Sequence, residues 1–360
     1  MVDKKLLLAL TTIAGLGIGM AFAADEPFKV GYVYVSPIGD GGWTFQHDQG
    51  RKEMEKALGG KVVSKYVENV PEGADAERVI RELAQSGNMI IFTTSFGYMN
   101  PTLKVAAAFP KTHFEHATGY RMAPNVGIYN ARFYEGRYLA GIVAGRMTRS
   151  NVAGYVAAFP IPEVVMGINA FTRGMRSVNP KAEVKVIWTN SWYDPGRERE
   201  AADTLVSQGA DVLTHHTDST AVVQAAEAKK VYSIAYHSDM SKYGPNTELT
   251  AVTHQWGAYY TKAVSDAMSG KWKPDNVWGG IKEGMIKMGP FNKIVPKDVQ
   301  DQVAKATTDI GAGKLHPFTG PIKDNEGKER LASGQVMSDA VLSKMDYYVE
   351  GVQGTLPISK

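Results

Sequence analysis

The chain alternates short apolar runs with amphipathic helical stretches, and at residue 152 the alternation begins again. No other feature constrains the fold as much. Gly31-Tyr32-Val33 followed by Pro37 is echoed, at the same spacing, by Gly154-Tyr155-Val156 followed by Pro160. Short runs that stay apolar on consecutive residues read as parallel strands covered on both faces. Their alternation with helical segments predicts βαβ units. Before the restart, strands are expected over 29–36, 62–66, 89–93, 113–118 and 126–129, with helices over 43–58, 75–85, 102–109 and 133–147. After it, strands are expected over 152–159, 184–189, 211–217 and 231–238, with helices over 162–178, 197–207 and 219–229. Residues 249–310 hold more αβ pattern than the second unit needs: a strand over 249–253, a helix over 257–268, a β stretch over 277–288 and a helix over 296–310. The chain is therefore expected to return to the first unit and cross again, leaving an aperiodic tail from 311. The expected architecture is α/β, with two doubly wound lobes joined by a multi-strand hinge. Lobe 1 takes 27–151 with a return segment near 255–290, and lobe 2 takes 152–254 with one near 291–360. Such a hinge suits closure around a small molecule.

Residues 1–23 read as a cleavable signal peptide: Lys4 and Lys5, an apolar run from Leu6 to Met20, then Ala21-Phe22-Ala23. The apolar run is short for a membrane span. The chain is therefore expected in the periplasm. With no cysteine there is no thiolate metal site, no Cys nucleophile and no lipid-modified Cys, so a free protein rather than a lipoprotein is expected. The net charge of +3 comes from both signs interspersed, without a basic block, which excludes the nucleic-acid-binding class. G-x-S-x-G, G-x-x-x-x-G-K-[ST] and H-E-x-x-H are absent. No enzyme activity and no cofactor are expected.

The candidate site is built on the strand ends. Asp40-Gly41-Gly42-Trp43 lies between the first strand and its helix, where glycines let another molecule approach the backbone. Trp43 would present a flat apolar surface beside free helix amides; the plainer alternative is a staple at a helix start. Trp192 occupies the matching place in the second lobe, in Asn190-Ser191-Trp192-Tyr193-Asp194-Pro195, where it would either face the cleft or pack under a loop. Two indoles facing each other would sandwich a flat ligand. Ser95 and Phe96 follow another first-lobe strand, as Asp218 follows one in the second; Asp218 would cap the helix after it or accept hydrogen bonds from a ligand. Arg197, Glu198, Arg199 and Glu200 read as a solvated helix face. Histidines recur at strand ends at 215, 216, 237 and 254. Adjacent strand residues point to opposite faces, so His215 and His216 cannot both serve one ion. The competing reading is an exported metal-binding or hydrolytic protein using His215, His237 and His254.

Asp40-Gly-Gly-Trp43 through Gly50, Tyr134-Glu135-Gly136-Arg137-Tyr138-Leu139-Ala140-Gly141, Ile161-Pro162-Glu163 through Asn179-Pro180, Ser191-Trp192 with Asp194, and Val349-Glu350-Gly351-Val352 together resemble the basic membrane protein family of ABC-transporter substrate-binding proteins. The likeness spans nearly all of the chain after the leader. It implies the type I periplasmic binding fold and an ABC permease as partner, with the protein acting as a monomer. It also implies a purine nucleoside or base held between two aromatic rings, whose positions fall on Trp43 and Trp192. The family's two ribose contacts, an Asp and a Lys, fall here on His237 and His254. That departure favours a free base such as adenine, with Ser95, Phe96, Asp218, His237 and His254 lining its edges.

Overall fold

The computed structural model describes residues 26–357; the expected signal peptide, 1–23, lies outside them. The first half runs β1 (Phe28–Val33), α1 (Trp43–Leu58), β2 (Val62–Val67), α2 (Ala74–Gln85), β3 (Ile90–Thr93), α3 (Met99–Ala108), β4 (His113–Ala117), β5 (Val126–Ala131) and α4 (Phe133–Met147). The second runs β6 (Val152–Ala157), α5 (Pro162–Val178), β7 (Glu183–Trp188), α6 (Pro195–Ser207), β8 (Val212–His216), α7 (Ala221–Lys229), β9 (Tyr232–His237) and β10 (Glu248–His254). Then come α8 (Gly257–Met268), β11 (Asn276–Gly279), β12 (Ile286–Met288) and α9 (Lys297–Gly311). The tail adds β13 (Ile322–Lys323), β14 (Glu329–Leu331), α10 (Asp339–Leu342) and β15 (Val352–Gln353).

The first sheet has the order β11-β5-β4-β3-β1-β2, and the second β12-β10-β9-β8-β6-β7-β15. Each lobe thus repeats the same five-strand order, and in each the order reverses beside its first strand, the place where doubly wound sheets bind ligands. Within these two sheets all strands are parallel except β12, which runs antiparallel to β10; β13 and β14 form a separate antiparallel pair. The apolar strands are buried because helices cover both faces: Ile90, Ile91 and Phe92 of β3 have no exposed surface. Helix α2 shows why such segments are helical. Its buried residues Ala76, Val79, Ile80, Leu83 and Ala84 recur at the three-and-four spacing that forms one stripe. Burying each of the larger ones contributes about 1.5–3 kcal/mol.

The chain passes between the sheets more than once. After β5, α4 packs on α5 and β10 of the second sheet. The two helices touch closely because Gly141 has no Cβ, which would otherwise lie 2.0 Å from the Phe171 carbonyl. After β10, α8 packs on α1, and β11 pairs with β5. The stretch expected as one β run over 277–288 is two strands in different sheets, broken where Met285 N–H bonds back to Gly280 O at 2.9 Å. Strand β12 belongs to the second sheet and α4 packs on α5 and β10 on that sheet's side, whereas the sequence boundaries put both in the first lobe.

Beyond α9, the tail is held by side chains of α5 that meet its backbone. Arg173 donates to Pro317 O and Thr319 O, both at 2.7 Å. Asn169 donates to Tyr347 O at 2.7 Å and accepts from Val349 N at 3.0 Å. Strand β15 then joins β7 at the edge of the second sheet. Among the described residues no helix is long and apolar enough to cross a membrane.

Candidate functional site

The two sheets present their carboxyl ends to one another, and a narrow slot lies between them. Val35, Trp43, Ser95, Phe96 and Thr118 line it from the first lobe; Ile161, Glu163, Trp192, His216, Thr217, Asp218 and His237 line it from the second. The candidate residues Trp43, Ser95, Phe96, Trp192, Asp218 and His237 are thus brought together. His254 is not in the lining. It is fully buried behind the wall, its ring edge-on to Trp43 at 5.8 Å and to His237 at 5.1 Å.

Trp43 opens α1, and what holds that helix end comes from the other lobe. Gly42 has φ +107°, outside the range other residues adopt without strain, and a Cβ there would fall 1.9 Å from the Asp218 carbonyl oxygen. Its N–H donates to Ser238 Oγ at 2.9 Å. The Trp43 N–H donates to Asp218 Oδ1, and Ser36 Oγ donates to Asp218 Oδ2. Asp218 therefore caps α1 across the cleft, rather than the helix that follows it in sequence, and its charge meets the positive end of α1. Burial pushes its carboxyl up to about 7, against the downward pull of the Ser36 hydroxyl and the Trp43 amide. With both oxygens engaged, Asp218 acts as a fastener between the lobes.

The indole of Trp43 is buried, its Nε1–H donating to Thr94 O at 2.7 Å. His47, Phe133, His237, His254 and Trp256 surround it edge-on. Trp192 is half-buried, edge-on to Phe159 at 5.0 Å. Its Nε1–H crosses the cleft to Glu72 Oε1 at 3.1 Å. The same carboxylate accepts from Ser95 Oγ at 2.6 Å and Gly97 N at 2.8 Å.

Several buried polar atoms of the lining have no partner in the protein: Thr118 Oγ1, His216 Nδ1 and His237 Nδ1. Buried polar atoms are ordinarily hydrogen-bonded, and each one left alone costs about 1–3 kcal/mol. Thr118 and His237 also have φ of +59° and +74°. A non-glycine residue held there costs about 1–3 kcal/mol, and such strain gathers at binding sites. The slot thus combines apolar side chains from both lobes with unsatisfied hydrogen-bonding atoms.

The histidines are neutral. Burial is the main cause lowering His215, His216, His237 and His254. Arg137 adds to it in all four: the guanidinium is fully buried, stacked 3.2 Å over the Tyr236 ring and donating to His215 O at 2.5 Å. A neutral imidazole carries one donor and one acceptor. Among the described residues no group of three or more His, Cys, Asp or Glu is placed to hold an ion. His215 turns away from the slot, with Nδ1 donating to Thr217 O at 3.0 Å.

The helix start at 197–200, expected as a solvated face, is not uniformly exposed. Glu198 is fully buried, accepting from Thr217 Oγ1 at 2.9 Å, Ser219 Oγ at 2.6 Å and Asp194 N at 3.1 Å. It braces the loop that carries Asp218, and a reading by helical face cannot see a loop folding over the helix start. Glu163, Thr118 and Glu72 join the site without being among the residues the sequence singles out, and His216 is singled out only together with His215. For three of them position is the signal: Thr118 and His216 stand at strand ends on the same edge as Ser95 and His237, and Glu163 in the first turn of the helix after β6.

The family model for ABC transporter substrate-binding proteins, PnrA-like, matches residues 28–319. The chain is 51% identical over 350 residues to a purine-binding protein of Brucella abortus, covering 97% of this chain and 100% of that one. It is 40% identical over 332 residues to a Haloferax volcanii protein described as a candidate ABC transporter glucose-binding protein, covering 92% of this chain and 82% of that one. A solute-binding protein of an ABC transporter from Aeropyrum pernix K1 superposes with a TM-score of 0.70 at 21% identity, over 83% of this chain and 93% of that one. One from Conexibacter woesei gives 0.67 at 24% identity, over 80% and 97%. At those identities the structures speak for the two-lobed fold alone, whereas the family match rests on most of the chain. The chain belongs to the PnrA-like family of ABC transporter substrate-binding proteins.

Proposed function

We propose that the protein captures a free purine base in the periplasm and delivers it to an ABC permease in the inner membrane, without chemistry of its own. The observation that carries the reading is the slot itself, lined by an indole from each lobe and edged by Thr118, His216 and His237 with unpartnered atoms. Trp43 and Trp192 stack on the two faces of the base, each contact worth about 1–3 kcal/mol. Phe96 is a packing wall, and Ser95, whose proton is engaged by Glu72, keeps its lone pairs for a ligand N–H. Asp218 keeps the lobes closed over the base, and His254 supports Trp43 and His237 from behind. The Brucella purine-binding protein, related over nearly all of the chain, points to the same ligand class. A histidine at 237 suits a ring edge, and favours a base over a nucleoside.

Calorimetry with adenine, hypoxanthine, their nucleosides and glucose tests this. The bases should bind more tightly than the nucleosides, with quenching of tryptophan fluorescence. A nucleoside at least about tenfold tighter, a difference of about 1.4 kcal/mol, would overturn the base assignment. Glucose binding without purine binding would overturn the purine reading altogether, in line with the Haloferax relative's description.

A further inference from the structure

One pair on the slot wall has no assigned part. Glu163, in the first turn of α5, places Oε2 to accept from Asn130 Nδ2 of the first lobe at 3.1 Å. Its other oxygen, Oε1, lies 3.6 Å from His216 Nε2, beyond hydrogen-bond length but well within reach of a charge. Both side chains are close to fully enclosed, at 12% and 4% exposure. The opposite nitrogen of the same imidazole, His216 Nδ1, is one of the unpartnered atoms of the slot.

A neutral imidazole has a single proton, and its position is set by whatever faces the other nitrogen. A carboxylate facing Nε2 draws the proton there and leaves Nδ1 an acceptor. A protonated carboxyl facing Nε2 favours a bare Nε2 and puts the proton on Nδ1, which becomes a donor. The ligand's edge meets opposite chemistry in the two cases. A 6-amino purine presents N–H donors where a 6-oxo purine presents a carbonyl acceptor.

Resting on the purine reading above, we propose that Glu163 sets the hydrogen-bonding sense of His216 Nδ1 and so selects between 6-amino and 6-oxo purines. Ionised Glu163 favours the amino purine, and protonated Glu163 the oxo purine. Burial pushes the Glu163 carboxyl up to about 7, against a pull from Asn130, so both forms are populated near neutrality. His216 stays neutral throughout, lowered by burial and by Arg137, His254 and His215. The groups facing Glu163 are His216 from β8, Asn130 from β5, Tyr155 from β6 and Tyr236 from β9, with Arg137 of α4 beside the two tyrosines. Both tyrosines are raised by burial and remain neutral. On its outer side Glu163 borders a groove shared with Arg132, Asp339 and Lys344. Glu163 is thus the facing group that titrates in the neutral range.

The test is calorimetry of the whole chain with adenine and with hypoxanthine, from about pH 5.5 to about pH 8. In the wild type the ratio of adenine to hypoxanthine affinity should rise about tenfold over that range, the scale of one buried hydrogen bond made or lost. Glu163→Gln, whose amide does not titrate, should hold one ratio throughout. A flat ratio in the wild type, or an equal rise in Glu163→Gln, overturns the proposal. Nitrogen-15 spectra of the histidine rings in wild-type protein read the same switch without a substitution. His216 Nδ1 should carry the proton at low pH and lose it at high pH, and an unchanged tautomer overturns the assignment. Binding of neither purine at any pH would instead remove the purine reading beneath it.

Discussion

Trp43 and Trp192 hold corresponding places in two lobes of one plan, yet the protein holds them differently. Trp43 is 9% exposed, hydrogen-bonded within its own lobe and ringed by aromatic side chains. Trp192 is half-buried, and its indole N–H reaches an exposed carboxylate of the opposite lobe. The difference extends to the walls around them. The first lobe offers a prepacked surface, with Thr118 Oγ1 its one unpartnered atom in the slot; the second brings Glu163, His216, Asp218 and His237, and a buried arginine behind them. The Trp43 wall is the more deeply packed of the two, closed by its own lobe and by His237 and His254 of the other, whereas Trp192 meets the first lobe chiefly through Glu72.

The comparison is broken most directly at Trp43. If its ring is core as well as site, Trp43→Ala should cost about 3–5 kcal/mol of folding stability along with purine binding. Denaturant unfolding of the ligand-free protein measures the first, calorimetry the second. Unchanged stability would make Trp43 a surface like Trp192, and the contrast would vanish.

Next in size is the pH response of the second wall. Burial, helped by Arg137, pulls His215 down to about 3. Above about pH 6.5 the ring is neutral folded or unfolded; below it the unfolded chain takes up a proton that the folded one refuses. The neutral ring's contribution is therefore complete above about pH 6.5 and is lost as pH falls toward 3. His215→Gln does not titrate, so the stability gap between wild type and variant should narrow by about 1.4 kcal/mol per pH unit below about pH 6.5. Unfolding curves for both proteins at a few pH values check it, and a constant gap would mean that the cavity behind the wall admits the charge.

Trp192→Ala sharpens the contrast from the other side. Its binding loss should be about 1–3 kcal/mol, one stacked face. Its stability loss should stay below about 1 kcal/mol, since the half-buried ring packs chiefly on Phe159. Equal losses in both measurements would make the two indoles equivalent.

The parts legible from the sequence are those governed by local pattern. Apolar runs such as Ile90–Thr93 and the stripe of α2 gave strands and helices, and the echo of Gly31-Tyr32-Val33 in Gly154-Tyr155-Val156 marked the restart in β6. Strand-end position brought Trp43, Ser95, Phe96, Trp192, Asp218 and His237 onto one slot. What stayed hidden depends on contacts between segments far apart. Asp218 caps a helix 175 residues before it, a pairing no local spacing encodes. His254 ends a strand like His237, but its neighbours turn it behind the wall, and Glu198 is buried because the loop of Asp218 folds over it. The break between β11 and β12 reflects a passage between sheets, which an apolar run leaves unmarked.

The smallest expected effect concerns Glu72, which accepts from Ser95, Gly97 and Trp192 and so ties the Trp192 ring to the first lobe. Its side chain is exposed, so water competes for each of these bonds and the net worth of the set is small. Glu72→Gln keeps the shape and one acceptor while removing the charge. Purine affinity should fall about two- to fivefold, with folding stability unchanged within about 0.5 kcal/mol. The loss should lie in the dissociation rate, because the contact forms only once the lobes have closed. In stopped-flow fluorescence, faster release at an unaltered association rate fits that order of events. A slower association would mean that Glu72 positions Trp192 before closure, making both walls preformed and removing the distinction between the two indoles.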